Sequence, residues 1–224
     1  MKRQNGFTLI ESAMVMIVIG LLLGGALQGQ ELLQSSRIHN QIAFQDGLKG
    51  AFLGFQDRFR ALPGDYSAAT SGIHGATING DGNGRIEHRN WAGAREDTAV
   101  WEHLSHAGFT AHLYSPSAPP GAATTPTSFY NIPLQIVYDD SYGDPNATMP
   151  ARHGLKTGNQ IPAAILAAID RKIDDGNALG GDFRFSAYAP GGNTPDATTC
   201  YAAATGHWNP NGSNDPNCGG VSLF

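Results

Sequence analysis

Residues 6–27 read GFTLIESAMVMIVIGLLLGGAL, and this stretch decides the fold. From Phe7 onward it is almost wholly apolar and carries a single charged residue, Glu11. An α-helix of this length spans about 31 Å, which matches the hydrocarbon thickness of a bilayer. The sequence therefore predicts a membrane-spanning helix over residues 7–27.

The residues that flank this stretch predict its orientation. Lys2 and Arg3 precede it, and positive residues favour the cytoplasmic side, so everything after the helix is expected outside the cytoplasm. An ordinary secretory signal with cleavage near Ala26, after two glycines, is an alternative interpretation of the same segment.

The string GFTLIE at residues 6–11 resembles the processing signal of the type IV pilin and type II secretion pseudopilin superfamily. The resemblance implies that a prepilin peptidase cuts after Gly6 and that the new N-terminal residue, Phe7, becomes N-methylated. It further implies an inner-membrane assembly platform and other pilin subunits as partners. The expected location is the inner membrane as a single-pass protein with a periplasmic head, and then a filament.

Glu11 is unusual inside an apolar span, because a carboxylate there costs about 2.5 to 3.5 kcal/mol even on lenient scales. The resemblance implies that Glu11 offsets the N-terminal charge of a neighbouring subunit during assembly. The alternative is a carboxylate near the membrane interface that stays hydrated or protonated.

The helix is predicted to continue far beyond the membrane. No proline occurs in residues 7–62, the apolar positions from Ile38 onward keep mostly three- and four-residue spacings, and Pro63 and Gly64 supply a stop. We therefore expect a leader at 1–6, a membrane helix at 7–27, an amphipathic continuation at 28–62 and a head at 63–224. Such a helix would be about 84 Å long and would protrude from the head.

Glycines interrupt the inner part of this helix. In filaments of the family the region commonly melts between a glycine matching Gly20 and a proline, but this chain has Gln28 at the proline position. Alternatively, Gly20 and Gly24 form a GxxxG pair that allows close helix packing.

The head is predicted to be α+β and rich in loops. Helices are expected at 97–107 and 162–173, and strands of a small antiparallel sheet at 131–139 and 183–189. Residues 66–95 read as a long loop, 115–127 as a linker and the residues after 189 as a polar tail.

Residues 79–87 look like the first half of an EF-hand-type calcium loop. The candidate ligands alternate along the chain as a hard cation requires, with a backbone carbonyl at the seventh position. They are Asn79, Asp81, Asn83, the carbonyl of Arg85, and Glu87. The twelfth position is Asn90 rather than glutamate, so any ion would need help from Glu87, Asp97 or a distant carboxylate. Ordinary turns are the alternative, because Asn-Gly and Asp-Gly pairs are common turn formers.

The remaining sequence features limit the function classes. Cys200 and Cys218 suit one disulfide in an oxidising compartment, with two reduced thiols as the alternative. His103 and His106 are interpreted as surface residues, because no cysteine or carboxylate stands at matching metal-ligand spacing.

The chain shows no catalytic signature, so no enzymatic activity is expected. Its formal charge of −5 argues against nucleic acid as a partner of the bulk surface. Calcium is the one cofactor with a candidate site. The rival to a filament subunit is a membrane-tethered periplasmic binding protein that uses the calcium-type loop.

Overall fold

A computed structural model describes residues 9–88, 95–116, 120–209 and 217–224 of the chain. It divides into two units, Met1–Asn40 and Gln41–Phe224. One long helix, α1 (Leu9–Phe59), extends through 51 residues and contributes to both units.

Between Leu9 and Leu27, α1 is apolar nearly all round. Its large apolar side chains between Leu9 and Leu33 are 49% to 87% exposed. A helix with apolar residues on every side is one that must be covered by lipid or by other chains. Among the described residues, α1 is the helix long and apolar enough to span a membrane.

In the second unit, the rest of α1 is amphipathic and ends at Phe59. The next residue, Arg60, takes a left-handed conformation with φ of 54°, which is a common way for a helix to end. The predicted helix of residues 7–62 therefore ran three residues too far at this end, because the left-handed conformation of Arg60 ends the helix ahead of Pro63.

The other elements all belong to the second unit. In chain order they are α2 (Ala69–Gly72), α3 (Glu96–His106), β1 (Gln135–Asp139), β2 (Arg152–Lys156), α4 (Ala163–Ile173), β3 (Phe183–Phe185), α5 (Ala197–Cys200) and β4 (Gly220–Leu223). The prediction of a long N-terminal helix followed by an α+β head is confirmed.

The strands form a 4-stranded antiparallel sheet in the order β1-β2-β4-β3. The helices at 97–107 and 162–173 were predicted within one residue at each end, and β1 and β3 lie inside the predicted strands. The interpretation of the residues after 189 as a polar tail was wrong, because β4 lies in the middle of the sheet. The strand β2 was not predicted either.

The core of the head forms where α1 and α3 pack together against the sheet. Phe52 and Phe55 from α1 lie in one cluster with Trp101 from α3 and Leu155 from β2. Phe55 and Trp101 are fully buried. These apolar positions on α1 and α3 recur at helical spacing, which is why the sequence pattern located both helices correctly.

Candidate functional site

The N-terminal part of α1 is the first candidate site. Glu11 lies in the first turn of the helix, and its side chain is exposed. Gly6 and Phe7, the predicted processing residues, lie outside the described residues. Their cleavage and methylation therefore remain predictions, and so does the assembly role of Glu11.

The glycines of the inner helix face open space. A Cβ atom built on Gly20, Gly24, Gly25 or Gly29 would meet no other atom within 4 Å. The segment is helical in this structure, so any melting would have to occur on assembly. The open glycine face is compatible with close packing against another helix.

The loop at residues 79–87 is the second candidate site, and in the structure two of its predicted ligands make other contacts. The Asn79 side chain is used elsewhere, because its Oδ1 accepts a hydrogen bond from the Thr70 N–H at 2.8 Å. Asn83 Oδ1 likewise accepts from the Arg85 N–H at 2.8 Å. Asn90 lies outside the described residues.

Three carboxylates from distant parts of the chain meet at this loop instead. They are Asp65 after α1, Asp81 in the loop and Glu96 at the start of α3, and one oxygen of each lies within 4.8 Å of the others. Asp65 and Glu96 are buried, at 4% and 0% exposure. Carboxylate oxygens are the ligands that Ca²⁺ prefers, so the donor set fits a hard cation.

Backbone hydrogen bonds hold these carboxylates in place. Asp65 Oδ1 accepts from the N–H groups of Gly82 at 2.7 Å and Asn83 at 3.0 Å, and its Oδ2 accepts from Gly84 at 2.8 Å. Gly82 and Gly84 have positive φ values of 75° and 81°, which a glycine adopts without strain. The Gly-rich sequence of the loop therefore wraps around Asp65.

Glu96 holds the loop from the other side. Its Oε1 accepts from the Asp81 N–H and its Oε2 accepts from the Glu87 N–H, both at 3.1 Å. The Glu87 carboxylate is not part of the three-residue cluster, but the Glu87 backbone is held by its hydrogen bond to Glu96.

Asp65 lies in an environment that disfavours its charged form. Burial raises the pKa of Asp65, three backbone N–H groups oppose that shift, and a hydrogen bond with the Asp81 carboxyl raises the pKa further. Two carboxylates this close repel each other, and either a proton on Asp65 or a cation between the two groups relieves the repulsion. The cluster is therefore a place where a proton and a metal ion would compete.

Asp97, which was considered as a helper for the ion, has a different role. Its Oδ2 accepts from Arg95 at 3.0 Å and from Gln135 Nε2 at 2.8 Å, and it contacts His88 Nδ1 at 3.0 Å. Asp97 is fully buried and joins α3 to β1 through these contacts. The carboxylate from this region that joins the cluster is that of its neighbour Glu96, which sequence spacing did not indicate.

The interpretation of His103 as a surface residue was wrong. The side chain is fully buried, its Nδ1 accepts from the Gly64 N–H at 2.9 Å, and its Nε2 lies 2.9 Å from the Ile78 carbonyl. Only the neutral tautomer with the proton on Nε2 satisfies both contacts. Burial lowers the pKa of His103, so the ring is a neutral link between the segment after α1 and the candidate loop.

The C-terminal part of the head is fixed by a disulfide and a buried hydrogen bond. Cys200 and Cys218 form the predicted disulfide, and both residues are buried. Inside the loop it closes, Trp208 Nε1 donates to Asp170 Oδ2 of α4 at 2.6 Å. Burial raises the pKa of Asp170 to about 6, against the hydrogen bonds from Trp208 and Gly176.

An exposed apolar helix near the N-terminus, followed by an α+β head, is the organisation of a membrane-anchored subunit. Residues 1–27 match the family model described as the prokaryotic N-terminal methylation motif. This motif is the signature of the type IV pilin and pseudopilin family, so the chain carries that family's N-terminal signature, as predicted from residues 6–11. No curated protein and no solved structure matches the chain.

Proposed function

We propose that this chain is a structural subunit of a type IV pilus-like or type II secretion pseudopilus filament. It would be processed by a prepilin peptidase after Gly6 and polymerised through α1. The observation that carries the proposal is the methylation motif at residues 1–27, whose described residues, from Leu9 onward, lie on a helix with exposed apolar side chains. Exposed apolar surface of this extent needs lipid before assembly and other subunits after it.

The role proposed for Glu11 follows from its position. Once cleavage has exposed a new amino group at Phe7, the Glu11 carboxylate of one subunit offers a partner of opposite charge to the Phe7 amino group of its neighbour. Inside a bilayer or a filament core the attraction between such charges is much stronger than in water. A structural role, without catalysis, is sufficient to explain these features.

The test is the intact mass of the chain extracted from membranes of cells that also make a prepilin peptidase. We expect the mass of a chain that begins at Phe7 and carries one N-terminal methyl group. Gly6→Ala should leave the chain uncleaved, and Glu11→Ala should be cleaved but should not enter filaments. Ser12→Ala is the matched control beside Glu11 and should be cleaved and assembled like the unmodified chain.

The opposite outcome is equally clear. A chain that keeps its leader in the presence of the peptidase, or that is cut near Ala26, would contradict the filament proposal. The tethered or secreted binding-protein interpretation would then be the better one.

We also propose that the Asp65, Asp81 and Glu96 cluster binds Ca²⁺, with the loop at 79–87 folded around it. What supports this is a set of three carboxylates within 4.8 Å, of which Asp65 and Glu96 are buried and Asp65 and Asp81 are in hydrogen-bond contact. Bound Ca²⁺ would supply the positive charge that these acids lack and would fix the segment after α1 against α3.

The calcium proposal is tested by denaturation of the detergent-solubilised chain with and without Ca²⁺. A ligand at 100 times its dissociation constant stabilises the folded state by about 2.7 kcal/mol. Asp81→Asn should abolish that gain, whereas Asp57→Asn, an exposed acid on α1, should keep it. An equal gain in both variants would show that Ca²⁺ acts elsewhere.

A further inference from the structure

The loop between β1 and β2 covers a cavity on the head. The cavity lies where residues 140–148 of this loop meet Phe185 of β3 and the nearby Ala187. Its volume is about 350 Å³, which falls in the range of about 300 to 1,000 Å³ that ligand pockets occupy. Its described lining residues lie outside α1 and outside the candidate calcium site. The cavity is therefore a separate feature of the head.

Hydrogen bonds hold the loop over the sheet. The Gly143 N–H donates to the Phe185 carbonyl of β3 at 2.8 Å. Tyr142 Oη donates to the Pro150 carbonyl at 2.5 Å, close to the start of β2. A wall that is already fixed loses little conformational freedom when a ligand binds. The cavity is therefore preorganised.

One part of the cavity lining is apolar. Tyr142 and Phe185 are buried, at 5% and 2% exposure, and form its inner part. Pro145, Ala147 and Ala187 are exposed and lie nearer the solvent. A ligand that fills the cavity must therefore place an apolar group against these residues.

The other part of the lining is acidic and hydroxylic, with Asp140, Ser141, Asp144 and Thr148. Asp140 is exposed, and its carboxylate forms no hydrogen bond or ion pair with a described residue. Asp144 uses its Oδ1 to accept from the Asn146 N–H at 2.9 Å, so its Oδ2 is left for a ligand. The described lining residues include two carboxylates and neither lysine nor arginine.

A positive charge beside the cavity is already engaged. The Arg184 guanidinium lies 5.5 Å from the centroid of the Tyr142 ring, and its Nε donates to the Gly181 carbonyl at 2.7 Å. Arg184 is not among the lining residues, so it does not occupy the cavity. A hard divalent cation would need oxygen ligands on most sides, which a partly apolar cavity does not provide. The lining is better matched by a cation that has an apolar part.

We propose that this cavity binds an organic cation with a short apolar stem, such as an alkylammonium ion. The ammonium group donates to the carboxylates of Asp140 and Asp144, and the stem lies against the apolar lining. The inference does not depend on the proposed filament function. Two sources carry such a group, a free amine and the lysine side chain of a partner protein, and the experiment distinguishes them.

Binding is measured by nuclear magnetic resonance on the detergent-solubilised chain with isotope-labelled alanine methyl groups. Ala147 and Ala187 line the cavity, whereas Ala203 is exposed and does not. The ion n-pentylammonium should shift the signals of Ala147 and Ala187 in a saturable way and leave that of Ala203 in place. Pentanoate and 1-pentanol have a stem of the same length without the positive charge and should shift them little.

Matched variants test the charge and the space separately. Asp144→Asn keeps an oxygen for the Asn146 N–H but removes the charge, so the dissociation constant of n-pentylammonium should rise about tenfold. Asp196→Asn removes an exposed charge elsewhere, keeps the cap of α5 and should leave binding unchanged. Ala187→Leu fills the cavity at an exposed position and should abolish the shift of Ala147, whereas Ala203→Leu should not.

The inference is overturned by equal shifts from n-pentylammonium and 1-pentanol, or by no saturable shift at all. It is also overturned if neither Asp144→Asn nor Ala187→Leu weakens binding, because the ion then binds elsewhere. Nα-acetyl-lysine N-methylamide identifies the source. Affinity at least equal to that of n-pentylammonium supports the lysine of a partner, and exclusion from the cavity supports a free amine. None of these measurements involves cleavage or assembly, so failure here is distinct from failure of the filament proposal.

Discussion

Replacement of His103 by phenylalanine tests whether the buried imidazole fixes the start of the head. The substitution keeps a ring of similar size in the core, where His103 stacks near Phe55, but removes both ring nitrogens. The Gly64 N–H then loses its acceptor in a buried position, and the Ile78 carbonyl loses a donor where it is only half-buried.

The burial of these two groups sets the expected decrease in the free energy of unfolding. A buried polar group left without a partner costs about 1 to 3 kcal/mol, and the Ile78 carbonyl should lose less because water can reach it. We therefore expect His103→Phe to lower the free energy of unfolding by about 2 to 4 kcal/mol at pH 7.5. His74→Phe, at an exposed position in the same part of the head, should change it little.

The same side chain should make stability depend on pH. Burial lowers the pKa of His103 in the folded state, so the unfolded chain takes up a proton first as the pH falls. The stabilisation of the fold by His103 is complete above the pKa of histidine in the unfolded chain, which is about 6.5. Below that pH the stabilisation is lost, by up to about 1.4 kcal/mol at pH 5.5. His103→Phe should remove this part of the pH dependence.

The assay is urea denaturation of the detergent-solubilised chain at pH 7.5 and pH 5.5, followed by near-ultraviolet circular dichroism. The difference in pH dependence between the unmodified chain and His103→Phe isolates this one group from the others that titrate. An unchanged unfolding free energy in His103→Phe, or an unchanged pH dependence, would refute the assignment of the neutral imidazole as a structural link.

Three further predictions concern the sheet and the C-terminal part of the head. A Cβ at Gly154 would lie 2.6 Å from a methyl group of Val221, so Gly154→Ala should cost about 1 to 3 kcal/mol in denaturation, whereas Gly50→Ala should be neutral or stabilising. Replacing both cysteines by alanine should cost about 3 kcal/mol and lower the melting temperature; an unchanged melting temperature would contradict this. Because the pKa of Asp170 is raised to about 6, its contribution to stability is complete below pH 3.8 and is lost as the pH rises through 6. Asp170→Asn should remove this loss of stability when unfolding is measured at a series of pH values.

The elements that could be predicted from the sequence are those with a strong local pattern. In α1, α3 and α4 the apolar residues recur at helical spacing, and β1 has a run of β-branched and aromatic residues. The methylation signature lies in a short continuous stretch and was visible for the same reason. These features need no knowledge of what lies elsewhere in the chain.

The elements that were missed depend on contacts between distant residues. The strand β2 reads RHGLK and β4 reads GVSL, and neither has the composition of a strand. Gly220 is needed because a Cβ there would lie 2.7 Å from the Phe183 ring. Such glycines signal a turn in the sequence, whereas in the fold they permit close packing across the sheet.

The candidate cation site shows the same limit. Asp81 was identified from the spacing of oxygen ligands in a Gly-rich loop. Asp65 and Glu96 were not, because only the folding of the segment after α1 and of α3 brings them to the loop. Asn79 had the expected spacing, and in the fold its Oδ1 accepts a hydrogen bond from the Thr70 N–H.

The position of β4 constrains when the head can fold. This strand is hydrogen-bonded to β2 on one side and to β3 on the other, although it follows both in the chain by many residues. While the chain has been synthesised only up to residue 219, the sheet therefore lacks the strand that lies between β2 and β3. The head can complete its sheet only after residues 220–223 have been synthesised, so folding of the sheet must wait for these residues.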